Sequence, residues 1–222
     1  MGQMINRRRS MMRGSVAKNY IVFDDPVVET LCIEAFSKDG IGVTYEDAAA
    51  VKYLSSGPKG TSIFRRNTSI TKFNELQFFT GLTTLQSQTS AGGYFQESTI
   101  EEIILPAPQD NATGIDNFYY CTSLKKVKVE EGITTVSPHS FSRLSSFCIV
   151  DLPSTITTID ANGFYYFSGV LVVRAATPPT GSVSTPSEIY VPDASVNLYQ
   201  TTWSSLSSKI KPLSEYVEPT NE

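Results

Sequence analysis

Apolar residues recur at a constant interval through the middle of the chain. Phe95, Phe118, Phe141 and Phe164 are each separated by 23 residues. Further apolar sets keep that interval: Leu124, Phe147 and Val170; Val127, Val150 and Val173; Ile133 and Ile156; Val136 and Ile159. Because all the sets share one register, the pattern predicts a single structural unit that repeats and stacks on its copies.

Each repeat has the pattern of a short strand followed by a return segment. In residues 126–129 lysines alternate with valines, so the valines are predicted to face a core and the lysines to face solvent. A turn follows, and the apolar pair Ile133 and Val136 then carries the chain back under that core. A unit of this length is typical of a leucine-rich-repeat solenoid, in which each turn buries its apolar face against its neighbours.

Stacking at this interval also predicts which charges meet. Strands of neighbouring turns lie about 4.8 Å apart, so residues separated by 23 become side-by-side neighbours. Lys128, Asp151 and Arg174 would then form one row of alternating sign. Two further predicted pairs, from a turn one residue longer, are Glu101 with Lys125 and Glu102 with Lys126. Such cross-strand pairs contribute roughly 0.2–1 kcal/mol each and favour the predicted register.

The segment 117–124, with the sequence NFYYCTSL, resembles the small-Phe-x-x-Cys-x-x-Leu core of BspA-type leucine-rich repeats. Such repeats are common in surface proteins of gut and oral Bacteroidales. The frame recurs after Phe141 and after Phe164, and the resemblance covers residues 66–213. It implies a mainly β leucine-rich-repeat solenoid. The family includes adhesins, lipoproteins and phage-borne proteins, so it implies binding without naming a ligand.

Helical signals precede the repeats. Asp25 and Pro26 suit the N-cap and first turn of a helix. Its predicted apolar face holds Val28, Leu31, Cys32, Ala35 and Phe36. Thr44 and Asp47 predict a capping box for a second helix. The loop 36–47 resembles a degenerate EF-hand, but Lys38 stands where calcium needs an oxygen ligand, so no calcium binding is expected.

A different pattern follows the repeats. Residues 178–186 are rich in Gly, Ser, Thr and Pro, which predicts a loop, and a last strand follows at 189–192. Asp193 is a predicted N-cap for an amphipathic helix, whose apolar residues are Val196, Tyr199, Trp203 and Leu206. Trp203 is expected to anchor this helix. The predicted division is a basic arm (1–20), a helical N-terminal cap (21–65), the solenoid (66–180) and a C-terminal cap (181–222).

Charge is distributed unevenly along the chain. The formal net charge is −4, but residues 1–18 contain five basic residues and no acid. The other residues carry 13 basic against 22 acidic groups. Such an acidic body argues against nucleic acid binding on the solenoid, since phosphate contacts need clustered positive charge. The arginines predicted to form an assembly arm are Arg7, Arg8, Arg9 and Arg13.

The residues that carry most enzymatic chemistry are sparse. His139 is the sole histidine, and no nucleophile motif surrounds it. Cys32, Cys121 and Cys148 lack metal-ligand spacing, and buried free thiols are expected. We therefore expect no catalysis, no cofactor and no metal. A glycosidase pair of carboxylates drawn from separate turns is left open by the sequence.

The residues that follow each repeat phenylalanine form the candidate binding site. Stacking places them in neighbouring rows on one flank, and the candidate residues are Tyr119, Tyr120, Arg143, Tyr165 and Tyr166. Two tyrosine pairs about 10 Å apart, with an arginine between them, suit a stacking platform for sugars or a hot-spot patch for a protein. The alternative is that one tyrosine of each pair packs into its turn as core.

The functional expectation is a non-enzymatic binding or assembly protein. Residues 4–9 resemble the beginnings of tail and head-fibre proteins of Bacteroidales phages, and neither a secretion signal nor a membrane span is evident. We expect a virion structural or host-surface-binding protein whose partners are other virion or surface subunits or a host glycan, with homo-oligomers possible. The alternatives are a cell-surface adhesion module and a glycan-active enzyme.

Overall fold

The computed structural model describes residues 18–55, 60–83, 93–107, 118–144, 147–181 and 183–218. Its helices are α1 (Pro26–Phe36), α2 (Tyr45–Ala50) and α3 (Val196–Thr202). Its strands are β1 (Lys72–Phe73), β2 (Glu102–Leu105), β3 (Lys126–Val129), β4 (Thr135–Val136), β5 (Ile149–Leu152), β6 (Thr158–Ile159), β7 (Val170–Val173), β8 (Thr180–Gly181), β9 (Glu188–Val191) and β10 (Ile210–Pro212). Short 3-10 helices span Asn74–Phe78, Asp193–Ser195, Ser204–Lys209 and Leu213–Glu215.

The strands form two parallel sheets. Seven strands lie in the order β1-β2-β3-β5-β7-β9-β10, and three in the order β4-β6-β8. Strand β3 is followed by β4 of the other sheet, and β5 by β6, so successive turns contribute one strand to each sheet. Parallel neighbours of this kind require the chain to coil in one direction, which is the arrangement of a solenoid-like repeat fold.

Strand register agrees with the predicted interval at one pair and departs from it at the next. Val127 pairs with Val150, which lies 23 residues further along the chain. Val150 pairs in turn with Leu171, so the predicted pairing of Val150 with Val173 is wrong. The cause is local, because the link between the repeat phenylalanine and the following strand is two residues shorter in the later turn.

Phenylalanine rings stack through the core of the repeats. The ring centres lie 5.6 Å apart for Phe95 and Phe118, 5.7 Å for Phe118 and Phe141, and 5.1 Å for Phe141 and Phe164. All four rings are buried. The valines of β3 are buried beneath them as predicted, while its lysines lie on the other face of the sheet. This phenylalanine stack fixes the position of the turns that carry the candidate site.

Phe147 departs from the predicted core. It was expected to occupy the place of Leu124, which is fully buried, yet 84% of its side chain is exposed. The neighbouring Cys148 is fully buried instead. Since side chains alternate between faces along an extended segment, burial of Cys148 and Val150 directs Phe147 away from the core. The assignment of Phe147 as a core residue is therefore wrong.

Ion pairs across neighbouring turns only partly follow the predicted rows. Asp151 accepts two hydrogen bonds from Arg174, each 2.8 Å long, although Arg174 lies beyond the end of β7. Lys125 pairs with Glu101 at 2.7 Å as predicted, whereas Glu102 lies opposite Lys126 in the ladder but pairs with Lys72 at 3.6 Å. Lys128 lies beside Asp151 in the ladder, but its ion pair is with Glu130, at 2.8 Å. A closer acid on the same segment has replaced the predicted cross-strand partner.

The N-terminal helices begin where the sequence predicts. Asp25 is the N-cap of α1 and accepts hydrogen bonds from the backbone N–H groups of Val27 and Val28. Thr44 and Asp47 form the capping box of α2. Val28 and Cys32 are fully buried, whereas Ala35 is exposed, so the apolar face of α1 is narrower than predicted.

The loop between α1 and α2 uses its acidic groups internally. Asp39 accepts hydrogen bonds from Lys18 at 2.6 Å and from the Tyr20 hydroxyl at 2.8 Å. Lys38 lies 3.4 Å from Asp47. Across the described part of the chain, no group of three or more His, Cys, Asp and Glu residues is placed to hold a metal ion. Nor is any described helix long and apolar enough to cross a membrane.

The C-terminal helix begins later than predicted. Ser195 is the N-cap of α3, whereas Asp193 opens the preceding 3-10 helix and accepts a hydrogen bond from the Ser214 backbone N–H at 3.0 Å. The N-cap assignment of Asp193 is therefore wrong, because its carboxylate ties down a later segment. Trp203 is 6% exposed and packs edge-on against Tyr199 at 5.2 Å, as expected of an anchor.

The segment 213–218 folds back over the outward face of the larger sheet. Tyr216 packs on Tyr190 of β9 with ring centres 5.1 Å apart, and burial raises the pKa of Tyr216 to about 12. Glu218 pairs with Lys126 of β3, which lowers the pKa of Glu218. Leu213 and Tyr216 of this segment pack against Ile149, Val170, Val172 and Tyr190. Strands β5, β7 and β9 are therefore covered on both faces, while the side chains of β2 and β3 alternate between buried and half-buried.

Candidate functional site

Tyr120, Arg143 and Tyr166 lie one above the other on a corner of the repeats. The guanidinium carbon of Arg143 is 5.2 Å from the ring centre of Tyr120 and 5.1 Å from that of Tyr166. The two tyrosines belong to the turns on either side of Arg143, so the guanidinium lies between two aromatic rings. Such cation–π contacts contribute about 0.5–1 kcal/mol at exposed sites.

Two more tyrosines extend this group at its ends. The Tyr119 ring lies 4.5 Å from that of Tyr120, and the Tyr165 ring lies 4.2 Å from that of Tyr166. A hydrogen bond with Tyr166 raises the pKa of Tyr165. We call these five residues (Tyr119, Tyr120, Arg143, Tyr166 and Tyr165) the tyrosine–arginine column.

The column lies on the surface. Tyr120, Tyr165 and Tyr166 are 40%, 37% and 59% exposed, and Tyr119 is half-buried. Neither pair therefore places a tyrosine in the core, which was the alternative to a surface site. One face of Tyr120 and one of Tyr166 lie against Arg143. The column consequently offers less open ring face than a sugar-stacking platform would, and more ring edge.

The local backbone explains the shape of the column. Tyr120, Arg143 and Tyr166 have left-handed backbone, with φ of 60°, 59° and 56°. Each stands two residues after a buried repeat phenylalanine, so the stack inside the core sets the spacing outside. The Arg143 backbone N–H donates to the Tyr165 carbonyl at 2.9 Å, which joins one turn to the next.

The residue types found at these left-handed positions indicate whether their side chains have a role. For a residue with a Cβ atom, left-handed backbone costs roughly 1–2 kcal/mol, and glycine or asparagine adopts it more readily. Asn162, at another corner of the repeats, is such a residue, with φ of 63°. Tyrosine and arginine in the column therefore carry a backbone cost, which favours a role for their side chains.

Two residues outside the predicted site continue the same row. Arg66 and Glu97 also have left-handed backbone, with φ of 56° and 58°, and Arg66 donates to Glu97 at 3.1 Å. This hydrogen bond lowers the pKa of Glu97. The signal was present in the sequence, because Arg66 and Glu97 each stand two residues after a phenylalanine, Phe64 and Phe95.

The turns that build this row match a known repeat. A family model for the BspA type leucine rich repeat region matches residues 60–171, in six copies. The chain belongs to the BspA-type leucine-rich-repeat family. Leucine-rich repeats of this kind are typically non-enzymatic modules for protein binding or adhesion. A comparison with curated proteins finds no match.

The column lies wholly inside the BspA-type repeats. Tyr119, the first residue of the column, and Tyr166, the last, both fall between residues 60 and 171. These positions follow the repeat phenylalanine, whose side chain is buried, and they point outward at the corner. The BspA-type frame thus supplies regular spacing, while this chain supplies the tyrosines and the arginine.

The serine and cysteine side chains near the column are buried within the BspA-type repeats. Ser142 is fully buried, and its hydroxyl donates to the Asn162 carbonyl at 2.8 Å, with the exposed His139 ring 3.5 Å away. Burial raises the pKa of the Cys121 thiol to about 11 and raises that of Cys148 as well. A buried neutral thiol is a poor nucleophile. The arrangement therefore suits binding rather than covalent catalysis.

The predicted assembly arm lies outside the residues that the structure describes. Arg7, Arg8, Arg9 and Arg13 all precede residue 18, where the described chain begins. The arm remains a sequence-based prediction for this BspA-type protein.

Proposed function

We propose that this protein is a non-enzymatic binding module that recognises a protein partner through the tyrosine–arginine column. The observation that carries the proposal is the exposed stack of Tyr120, Arg143 and Tyr166 on costly left-handed backbone. Tyrosine and arginine are the side chains most enriched at binding hot spots, together with tryptophan. The family match supports a role in protein binding or adhesion.

Rigidity of the column supports the same role. Each turn is fixed from within by a buried phenylalanine ring, and the rings stack at 5.1–5.7 Å. The side chains of the column pack on one another before any partner arrives. Side chains already held in place lose less conformational entropy on binding. A patch whose side chains are already ordered is therefore well suited to binding a partner.

The finer proposal concerns location. We infer a structural or host-surface-binding protein of a phage particle, such as a fibre or decoration protein, with the repeats displayed and the arm (Arg7, Arg8, Arg9 and Arg13) docked on other subunits. Support comes from the resemblance of residues 4–9 to phage fibre proteins and from the basic character of residues 1–18. The second candidate is a bacterial cell-surface adhesion module, which the family match favours.

The division of the chain belongs to the same proposal. Helices α1 and α2 would close the first turn of the solenoid, and α3 with the following 3-10 helix would close the last. The packing of Phe36 on Phe79, with ring centres 5.8 Å apart, supports the first assignment. Burial of Tyr199, Trp203 and Leu206 supports the second.

Fractionation tests the location. Phage particles and cell envelopes from the source culture are separated on a density gradient, and the protein is quantified in each by mass spectrometry. We expect co-purification with particles. Recovery in the envelope alone would replace the virion role with cell-surface adhesion, and recovery in neither would overturn both.

A further inference from the structure

Arg143 has no counter-charge in the described part of the chain. Among the described residues, no carboxylate lies within ion-pair distance of its guanidinium, although the whole chain has a formal charge of −4. Of the other described arginines, Arg66 pairs with Glu97 at 3.1 Å and Arg174 with Asp151 at 2.8 Å, while Arg65 is half-buried and has no ion pair with a described residue. Arg143 instead has a tyrosine on each side.

The geometry leaves one part of this arginine available. A guanidinium carries its five N–H donors in its own plane. Tyr120 and Tyr166 lie against it from the two neighbouring turns, and the side chain as a whole is exposed. The edge that bears the donors is therefore the part that can meet a ligand. Rings on both sides also hold the plane in one orientation, which favours a planar, two-oxygen acceptor.

The rest of the molecule shows what such an edge binds. Arg174 donates from Nε and Nη2 to the two carboxylate oxygens of Asp151, at 2.8 Å each. Arg66 faces the Glu97 carboxylate in the same way, within the same left-handed row as Arg143. The corresponding place beside Arg143 is occupied by aromatic rings, and no described carboxylate reaches its guanidinium, which leaves the fork open to a carboxylate of another molecule.

We propose that Arg143 receives an aspartate or glutamate side chain of an acidic segment in the partner protein. This inference rests on the proposed function and specifies the partner's chemistry. The tyrosines beside the fork exclude water from its faces and strengthen the charge-assisted hydrogen bonds along its edge. Because a lysine provides a point charge without the planar fork, Arg143→Lys should not replace Arg143.

The test uses two blocked peptides, hexaglutamate and hexaglutamine, titrated against the full chain at low salt. Four proteins are compared: wild type, Arg143→Ala, Arg143→Lys and Lys52→Ala, the last removing one exposed positive charge that is not part of the column. We expect wild type to prefer hexaglutamate, and Arg143→Ala to weaken that binding about tenfold, as loss of one charge-assisted pair predicts. Arg143→Lys should weaken it about fivefold and Lys52→Ala less than about twofold.

Equal weakening by Arg143→Ala and Lys52→Ala would overturn the inference, because general charge would then explain the binding. Wild-type affinity of Arg143→Lys for hexaglutamate would overturn it too. So would equal affinity of the wild-type protein for the two peptides. Thermal melts of all four proteins show whether each is folded. If tyrosine variants of the column abolish partner binding while wild type binds hexaglutamate and hexaglutamine equally, only this inference fails and the proposed function stands. If partner binding ignores the column altogether, the proposed function fails.

Discussion

Asp25 joins the first helix to the larger sheet through Thr71. One carboxylate oxygen of Asp25 caps α1, and the other accepts hydrogen bonds from the Thr71 backbone N–H at 2.6 Å and the Thr71 hydroxyl at 2.8 Å. The side chain is nearly buried, at 4% exposed. A single residue therefore fixes where α1 starts and where it docks against the beginning of β1.

Replacing Asp25 by Asn should lower the free energy of unfolding by about 1–3 kcal/mol at pH 7, because the amide keeps only one acceptor oxygen and its NH2 group cannot accept from the N–H groups that face the other oxygen. Burial opposes ionisation of Asp25, but hydrogen bonds from Thr71, Lys72 and Val27 lower its pKa overall. The stabilisation is therefore present above the unfolded pKa of about 3.9 and is lost as pH falls through the folded value. In urea titrations at pH 7 and at about pH 3, the difference in free energy of unfolding between wild type and Asp25→Asn should be smaller at the lower pH. An equal difference at both pH values would contradict this account.

The two phenylalanines Phe118 and Phe147 should differ sharply in their contribution to stability. Phe118 is fully buried in the phenylalanine stack, whereas Phe147 is 84% exposed. Truncation of Phe118 to Ala should cost about 3–5 kcal/mol. The same truncation of Phe147 should change stability by less than about 0.5–1 kcal/mol. Denaturant melts measure both changes in stability. A large loss of stability in Phe147→Ala would show that Phe147 is a core residue.

The C-terminal segment should contribute to stability through Tyr216. Its ring packs on Tyr190, whereas its neighbour Val217 is 82% exposed. Replacing Tyr216 by Ala should cost about 1–2 kcal/mol for the apolar area returned to water. Val217→Ala is the matched control and should be nearly neutral. Equal melting temperatures for Tyr216→Ala and wild type would show that the segment covers the sheet without stabilising it.

Deletion of residues 1–18 should separate assembly from folding. The repeats would keep their buried core, which lies beyond this segment, so the circular dichroism spectrum and melting temperature should stay close to those of wild type. Incorporation into the particle should be lost with the arginines of the arm. Gradient co-sedimentation measures it, and normal incorporation of the shortened protein would refute the assembly role of Arg7, Arg8, Arg9 and Arg13.

Features set by local or repeating patterns could be predicted from the sequence. The phenylalanine spacing correctly placed the rings of Phe118 and Phe141 side by side, because a repeat puts equivalent residues together. The capping roles of Asp25 and Thr44 were also confirmed, since capping depends on residues within one turn of helix. The same logic brought Tyr120, Arg143 and Tyr166 to one corner.

Features that depend on a local irregularity or on a distant, non-repeating segment could not be predicted. The register of Val150 changed because the link preceding β7 is two residues shorter, and an average interval conceals such a change. The return of Tyr216 over β9 involves a segment with no repeat pattern at all. The stacking of Arg143 between the rings of Tyr120 and Tyr166 could be seen only from side-chain geometry. Because the guanidinium covers one face of each ring, the site presents ring edges around an arginine where the sequence predicted open ring faces.

The most direct test of the central claim compares binding with stability in Tyr120→Asn/Tyr166→Asn. Asparagine tolerates left-handed backbone, which offsets part of the packing lost with the rings. Binding of labelled protein to the particles or cells with which it co-purifies is measured alongside the thermal melt. We predict binding at least about tenfold weaker, as for two hot-spot residues, with a melting temperature within about 4 °C of wild type. Unchanged binding with a large loss of melting temperature would show that these tyrosines serve the fold and that recognition lies elsewhere.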